Sequence, residues 1–308
     1  MLNKILLFIA LGVFAGLTPI QAQTPAAAPS APARVKGKIV AVRVQGHVQA
    51  ISKLDGTTRE LHENDAVTEQ TQINTAVGAS VILSFSNGAT VNVAANTVLD
   101  IEQFEQDPFA GDIKISDMKA EPTTSTTRLN LTRGELVGKV VHLNIDKGSE
   151  FTIQTPVGAA GIRGTTFMIT FTPGTDGKAF FTVTTADGRV VFTGTTAGPV
   201  SVPAGKSVTA TFDYTPPAPG STTPTTPATT TPVTITSTDT TPDVAAQVQA
   251  VAQTIVTATQ NAVATGGTGT GTGTGGTTTP STPPPSTTPP APTQPQSTTT
   301  PLAGATGS

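Results

Sequence analysis

The sequence predicts an all-β fold. Short runs that alternate apolar and polar residues recur between about residues 38 and 212, and a period of two is the pattern of a half-buried strand. Pairs such as Asn87-Gly88 and Asp187-Gly188 separate the runs and favour tight turns. No helical spacing interrupts these runs. The pattern alone leaves a sandwich, a barrel and an irregular β-roll open.

Each run places its apolar residues on one face of an expected strand. These residues are Val40, Val42 and Val44; Val81, Leu83 and Phe85; Val91 and Val93; Leu129 and Leu131; Val141, Leu143 and Ile145; Phe151 and Ile153; Phe167, Ile169 and Phe171; Phe181 and Val183; Val190 and Phe192; Val200 and Val202; and Val208, Ala210 and Phe212. Asn87-Gly88 predicts a hairpin closed by a type I′ turn. The polar stretch 106–127 predicts a long connection that divides two β layers.

The first 22 residues have the pattern of an export signal. Lys4 supplies the positive charge, residues 5–17 are apolar, and Pro19 precedes a small-residue cleavage site at Ala22. The apolar stretch is too short to span a bilayer. We therefore expect a cleaved signal peptide and a periplasmic, secreted or cell-surface protein with no stable transmembrane segment after processing. Residues 23–34 form an Ala/Pro linker, and the β domain is expected at 35–214.

The sequence after residue 214 is rich in Thr, Pro, Ser and Gly. Such composition buries little apolar surface, so residues 215–242 and 265–308 are predicted to be disordered. Between them, Val244, Val248, Val251 and Ile255 recur at helical spacing after Asp243, an expected N-cap. A short amphipathic helix is predicted at 243–264. It could dock on the β domain, self-associate or remain without a partner.

Composition argues against several functions. With 17 basic and 20 acidic residues and a net charge of −3, the chain offers no basic surface for nucleic acid. It has no cysteine, which excludes disulfides and thiolate metal sites. His47, His62 and His142 are isolated in sequence and form no catalytic motif. We therefore predict no catalytic residue, metal site or cofactor.

An acidic stretch is the remaining candidate for a cation site. Its members are Asp100, Glu102, Glu105, Asp107, Asp112, Asp117 and Glu121. Their spacing does not match a calcium loop. A solvated acidic connection is the favoured interpretation.

The most specific motif is TPVGAAGIRGTTF, which runs from Thr155 to Phe167. Pro156 keeps Thr155 extended, while Gly158, Gly161 and Gly164 permit backbone angles or close approaches that a side chain forbids. This pattern predicts a tight corner between strands. Arg163 has five donors and is expected to satisfy carbonyls in the corner, or else to contact a partner. Thr165 and Phe167 complete the motif.

This motif resembles the hallmark of the FecR domain. Other elements follow in the family's order, namely Asn64-Asp65, SVILSFSNGATVNV, NTVLDIEQF and LTRGELVGKV. The resemblance covers roughly residues 38–171 and extends weakly to 212. It implies an irregular β-roll or β-solenoid, with a β-sandwich as the alternative, and a periplasmic location.

The resemblance implies the role of FecR-like regulators, which relay a signal from an outer-membrane receptor to a sigma factor. Such regulators carry a cytoplasmic segment ahead of the domain, whereas three residues precede Lys4 in this sequence. Contact with a sigma factor is therefore not expected. We predict a non-enzymatic module that binds an envelope protein, a peptide or a cell-wall glycan. The alternative is a structural or adhesive component in which the Thr/Pro-rich tail acts as a stalk.

Overall fold

Two β-sheets that share one long strand form the framework of the protein. The computed structural model describes residues 34–194, 198–215 and 232–265. The predicted signal peptide, residues 23–33 of the linker, residues 216–231 and the tail from residue 266 lie outside the described residues.

The described strands, in chain order, are β1 (Val35–Lys36), β2 (Ile39–Gln45), β3 (Val48–Ser52), β4 (Thr58–Glu60), β5 (Ala66–Val67), β6 (Thr71–Thr75), β7 (Ser80–Phe85), β8 (Thr90–Val93), β9 (Val98–Gln106), β10 (Asp112–Lys114), β11 (Ser125–Lys139), β12 (Glu150–Thr155), β13 (Gly158–Ile162), β14 (Thr166–Pro173), β15 (Lys178–Asp187), β16 (Arg189–Thr193), β17 (Val200–Pro203), β18 (Lys206–Asp213), β19 (Pro232–Asp239) and β20 (Val263–Thr265). One helix, α1 (Pro242–Thr259), and short 3₁₀ turns at Ile115–Asp117 and Ile145–Lys147 complete the described elements.

Sheet A has the strand order β4-β3-β6-β9-β11-β12-β13-β16-β17. Sheet B has the order β5-β2-β7-β8-β11-β14-β15-β18-β19. After β11 the chain adds strands in pairs to the two sheets in turn. The expected all-β fold is confirmed, and this winding makes it a two-layered roll.

Strand β11 belongs to both sheets. Thr126–Asn130 pair with β12 in sheet A, and Gly134–Lys139 pair with β14 in sheet B. Gly134 lies where the strand changes sheet, with φ +101, and a Cβ there would lie 2.6 Å from the Thr97 Cα. Only glycine fits such a close approach.

The core lies between the sheets and is filled by the alternating residues. Phe85, Phe151, Phe167, Phe181 and Phe192 are all buried, and aromatic pairs pack edge-on or stacked within this layer. In β2 the sequence pattern misleads, since Ile39 and Ala41 face the core while Val40 and Val42 are only half-buried on the other face.

The Asn87-Gly88 hairpin is confirmed, but its turn differs from type I′. Gly88 has a positive φ of 88° and Asn87 does not. Instead, Asn87 is fully buried, and its amide donates to the hydroxyls of Ser125 and Thr127 at 3.0 and 3.3 Å. Those hydrogen bonds hold Asn87 to β11, which explains why it departs from the usual hairpin geometry.

Two segments differ from the sequence-based expectation of connections and strands. The 107–124 connection does not divide the layers, because Ser125 pairs with Gln106 and the connection joins neighbouring strands of sheet A. Residues 141–145 do not form a strand, since β11 ends at Lys139 and a loop with a 3₁₀ turn follows.

The region predicted to be a disordered linker contains a strand. Residues 232–239 form β19, which pairs with β18 along the edge of sheet B. Ile235 packs against the core, and Lys206 forms an ion pair with Asp239 at 2.7 Å. Thr and Ile have high β propensity, so the short alternation in VTITSTD is sufficient to form a strand where the edge of sheet B is available for pairing.

Helix α1 packs on the outer face of sheet B. Val248 and Ile255 are buried in a cluster with Ile82, Val137 and Met168. The N-cap is Thr241 and not the expected Asp243, and Pro242 occupies the first helical position. The helix ends at Thr259, before the expected limit, because residues 263–265 pair as β20 with β10.

Candidate binding groove

The TPVGAAGIRGTTF motif forms a hairpin in sheet A and the corner that leads into sheet B. Thr155 at the end of β12 pairs with Gly158 at the start of β13, and its hydroxyl donates to the Gly158 carbonyl at 2.8 Å. Pro156 is buried in the turn between the strands. The chain then passes through Arg163-Gly164-Thr165 to β14.

The three glycines of the motif occupy different environments. A Cβ at Gly158 would lie 2.4 Å from the Thr193 carbonyl oxygen, and one at Gly164, where φ is +65°, would lie 3.2 Å from the His142 Cα. At Gly161 the nearest atom would be 3.7 Å away, which is ordinary contact. Gly158 and Gly164 are therefore required by the backbone, whereas Gly161 leaves room above the sheet.

Thr165 and Phe167 are fully buried at the corner. The Thr165 carbonyl accepts a hydrogen bond from the Val140 amide at 2.8 Å. The ring of Phe167 lies over Gly138, where a Cβ would come within 2.3 Å of it. These two residues join the motif to β11 and the core.

Arg163 does not have the structural role expected from the sequence. Its side chain is exposed, and among the described residues its guanidinium has no hydrogen bond or ion pair. Arg189, the residue beside Val190, is also exposed, and Val190 pairs with Ile162. Arg163 and Arg189 therefore lie side by side at the ends of two neighbouring strands of sheet A. Because their like charges repel each other, this placement favours a negatively charged partner between them.

A groove of about 370 Å³ lies on the outer face of sheet A and ends at Arg163. Its floor consists of short side chains on β12, β13 and β16, namely Thr152, Ala159, Gly161, Val191 and Thr193. Ile145, Ser149 and Glu150 line one side. A second depression of about 390 Å³, lined by residues 142–147, reaches Arg163 from the other direction.

A buried carboxylate holds the loop beside the groove. Glu121 is 5% exposed. It accepts hydrogen bonds from the Ser125 hydroxyl at 2.7 Å, the Asn144 amide at 2.5 Å and the Ser149 hydroxyl. Charge-assisted hydrogen bonds are the stronger kind, so this cluster fixes the loop against the sheet. Sequence analysis expected Glu121 to be solvated, and the structure corrects this.

Asp100 is a second buried member of the acidic stretch. It is 5% exposed, pairs with Lys53 at 3.1 Å and accepts from Gln72 at 2.9 Å. Within the described ranges, no three His, Asp or Glu side chains come close enough together to hold a metal ion. Nor does any helix there have the length and apolar character required to cross a membrane.

The fold and the groove define an all-β protein with a concave surface on one sheet. Residues 71–190 match the family model described as FecR protein. Residues 71–190 of this chain therefore form a FecR domain. The match includes β6 to β15 and the whole TPVGAAGIRGTTF motif.

Solved structures of candidate anti-sigma factors from Parabacteroides distasonis ATCC 8503 are similar to this chain. One, at 14% identity and a TM-score of 0.34, matches over 55% of this chain and 59% of its own. The other, at 15% identity and a TM-score of 0.37, matches over 59% of this chain and 64% of its own. None of the curated proteins matches the sequence.

Proposed function

We propose that this chain is a non-enzymatic binding module of the bacterial cell envelope, acting in envelope signalling, and that its groove holds a polypeptide segment bearing a carboxylate. The unpaired guanidinium of Arg163, at the point where the two depressions meet, is the observation that carries the proposal. The FecR domain supports a role in the envelope. The signal-peptide pattern at 1–22 supports export.

The shape of the groove suits an extended chain. Its floor of short side chains lies across three strands, so a polypeptide can approach the sheet closely. Ile145 and Val191 offer apolar contact, while Thr152 and Thr193 offer hydroxyls. Arg163 can bind a carboxylate with two parallel hydrogen bonds, which fixes orientation as well as affinity.

Selection from a random peptide display library tests the proposal. The protein without residues 1–22 is expected to enrich peptides rich in Asp and Glu. Titration calorimetry of an enriched peptide should then show about a tenfold loss of affinity for Arg163→Ala, which matches a charged hydrogen bond of roughly 1.5 kcal/mol or more. Gly161→Leu, which fills the groove, should abolish binding.

Arg133→Ala is the matched control, since the Arg133 side chain is also exposed and its guanidinium has no hydrogen bond or ion pair within the described part of the chain. It should leave the affinity unchanged. The proposal is wrong if no peptide is enriched, or if the peptides bind equally to wild type, Arg163→Ala and Gly161→Leu.

A further inference from the structure

A lattice of threonine side chains covers the part of sheet B that α1 leaves open. On the outer face, three rows of residues run across β14, β15, β18 and β19 in register. The rows are Met168, Thr184, Ser207 and Thr238; Thr170, Thr182, Thr209 and Thr236; and Thr172, Phe180, Thr211 and Thr234. The first row adjoins α1, while most positions of the other two are accessible. We call these two rows the threonine face.

The hydroxyls of the threonine face form a regular array. Neighbouring strands are about 4.8 Å apart, and alternate residues along a strand are about 6.8 Å apart. The Thr182 and Thr209 hydroxyls hydrogen-bond across strands at 3.3 Å. Thr209, Thr234 and Thr236 are exposed. Because each hydroxyl can donate one hydrogen bond and accept two, this array offers many unused polar positions at fixed spacing.

Phe180 lies within this array and is 45% exposed. Its row carries threonine at the other three positions. By contrast, Phe171, Phe181 and Phe212, which face the core from the same strands, are fully buried. Phe180 therefore gives this surface one apolar aromatic platform beside its hydroxyls, and that pairing is what carries the inference.

The threonine face carries no charged residue of its own. Glu135 lies at one end, where its carboxylate accepts a hydrogen bond from Thr170 at 3.4 Å. Beyond the Phe180 row, Lys178 and Asp213 lie on the same face and neutralise each other in an ion pair at 2.6 Å. Burial raises the pKa of Glu135, which disfavours the ionised form. A neutral partner therefore suits this surface better than a charged one.

We propose that the threonine face binds a neutral polysaccharide made of pyranose units. The C–H face of a pyranose ring can stack on Phe180, while equatorial hydroxyls exchange hydrogen bonds with Thr182, Thr209 and Thr211. A chain of such units repeats its hydroxyls along one direction, as the rows of the lattice do. This site lies on sheet B, so it is distinct from the groove on sheet A.

Co-sedimentation of the protein without residues 1–22 with microcrystalline cellulose and with chitin tests the inference. Wild type should be retained by at least one of them. Phe180→Ala should weaken retention by about tenfold, the expected effect of losing an aromatic contact of roughly 1.5 kcal/mol. The double variant Thr209→Val, Thr236→Val keeps the side-chain shape, removes two hydroxyls, and should also weaken retention.

Leu54→Ala is the control for loss of exposed apolar surface, because Leu54 is 79% exposed elsewhere on the molecule. It should bind as wild type does, and so should Arg163→Ala. Failure of wild type to sediment with either polysaccharide overturns the inference. Retention of Phe180→Ala and of the double variant at the wild-type level also overturns it. A third contrary result would be that neither polysaccharide binds and that sedimentation velocity shows a wild-type dimer which Phe180→Ala dissociates, because the face would then bind a second copy of the chain.

Discussion

At the scale of single residues, the carboxylate of Glu121 determines how firmly the groove is bounded. It accepts hydrogen bonds from the Ser125 hydroxyl at the start of β11, and from the Asn144 backbone amide and the Ser149 hydroxyl in the loop that follows β11. The Ser125 hydroxyl in turn accepts from Asn87. Removing the charge leaves these donors without an adequate acceptor in a buried setting.

Glu121→Gln should lower the free energy of unfolding by about 1–3 kcal/mol, since an amide replaces one acceptor oxygen with a donor. Urea denaturation followed by circular dichroism measures the change. Asp112→Asn is the control, because Asp112 is exposed in the same connection and should shift stability by less than about 0.5 kcal/mol. Equal effects of the two substitutions would contradict the role assigned to Glu121.

Glu135 should make stability depend on pH. Burial, opposed by the Thr170 hydrogen bond, raises the pKa of Glu135 above its ordinary 4.5. The folded state therefore holds this proton more tightly than the unfolded state does. The contribution of Glu135 to stability falls as the pH rises from its ordinary pKa through its raised pKa in the folded protein. Below the ordinary pKa this contribution is fully present.

The measurement compares wild type with Glu135→Gln between pH 3 and pH 8. The stability advantage of the glutamine variant over wild type should increase as pH rises above about 4.5 and then level off. A difference that stays constant across this range would show that Glu135 titrates alike in both states.

At the scale of elements, the β12–β13 hairpin depends on a close backbone approach. Gly158→Ala should destabilise the protein by about 1–3 kcal/mol, because the added methyl meets the Thr193 carbonyl and the Phe192 ring. Gly161→Ala, three residues away in the same strand, has ordinary space and should change stability by less than about 0.5 kcal/mol. Thermal unfolding of both variants checks this, and a larger loss for Gly161→Ala would refute it.

Alternation predicted most strands because it directly reports which face is buried. It failed where other forces determine the backbone. Val141, Leu143 and Ile145 alternate, but they lie in a loop tied to Glu121 and follow the end of β11. The 232–239 segment looked like linker because threonine is common in both disordered and strand sequences, and only the free edge of sheet B decides between them.

The groove could be predicted only in part. The sequence singled out the motif residues and the freedom that Gly158 and Gly164 provide. It did not reveal that Arg163 would be exposed, because the number of free carbonyls in the corner depends on tertiary pairing. The threonine face was equally hidden, since its rows combine residues from four strands and depend on register between distant segments.

At the scale of the whole molecule, β11 couples the two halves of the fold. Leu129 lies in its sheet A part and Leu136 in its sheet B part, and both are fully buried. Because one strand supplies pairing to both sheets, neither sheet can unfold without removing a neighbour from the other. The described β framework should therefore unfold as one cooperative unit.

Leu129→Ala and Leu136→Ala should each lower a single unfolding midpoint, by an amount equivalent to about 2–5 kcal/mol. Circular dichroism and the fluorescence of Tyr214, the one tyrosine of the chain, should report coincident transitions. Two separated transitions in either variant would show that the sheets unfold independently.

The alternate addition of strand pairs also suggests how such a protein can evolve. The family match ends at residue 190, yet β17, β18 and β19 continue the same winding beyond it. Each new pair extends one sheet and presents a fresh edge for the next, so duplication or loss of a pair at this end leaves the earlier strands intact. Adding or removing β18 and β19 would therefore leave the strand pairings of the TPVGAAGIRGTTF corner as they are.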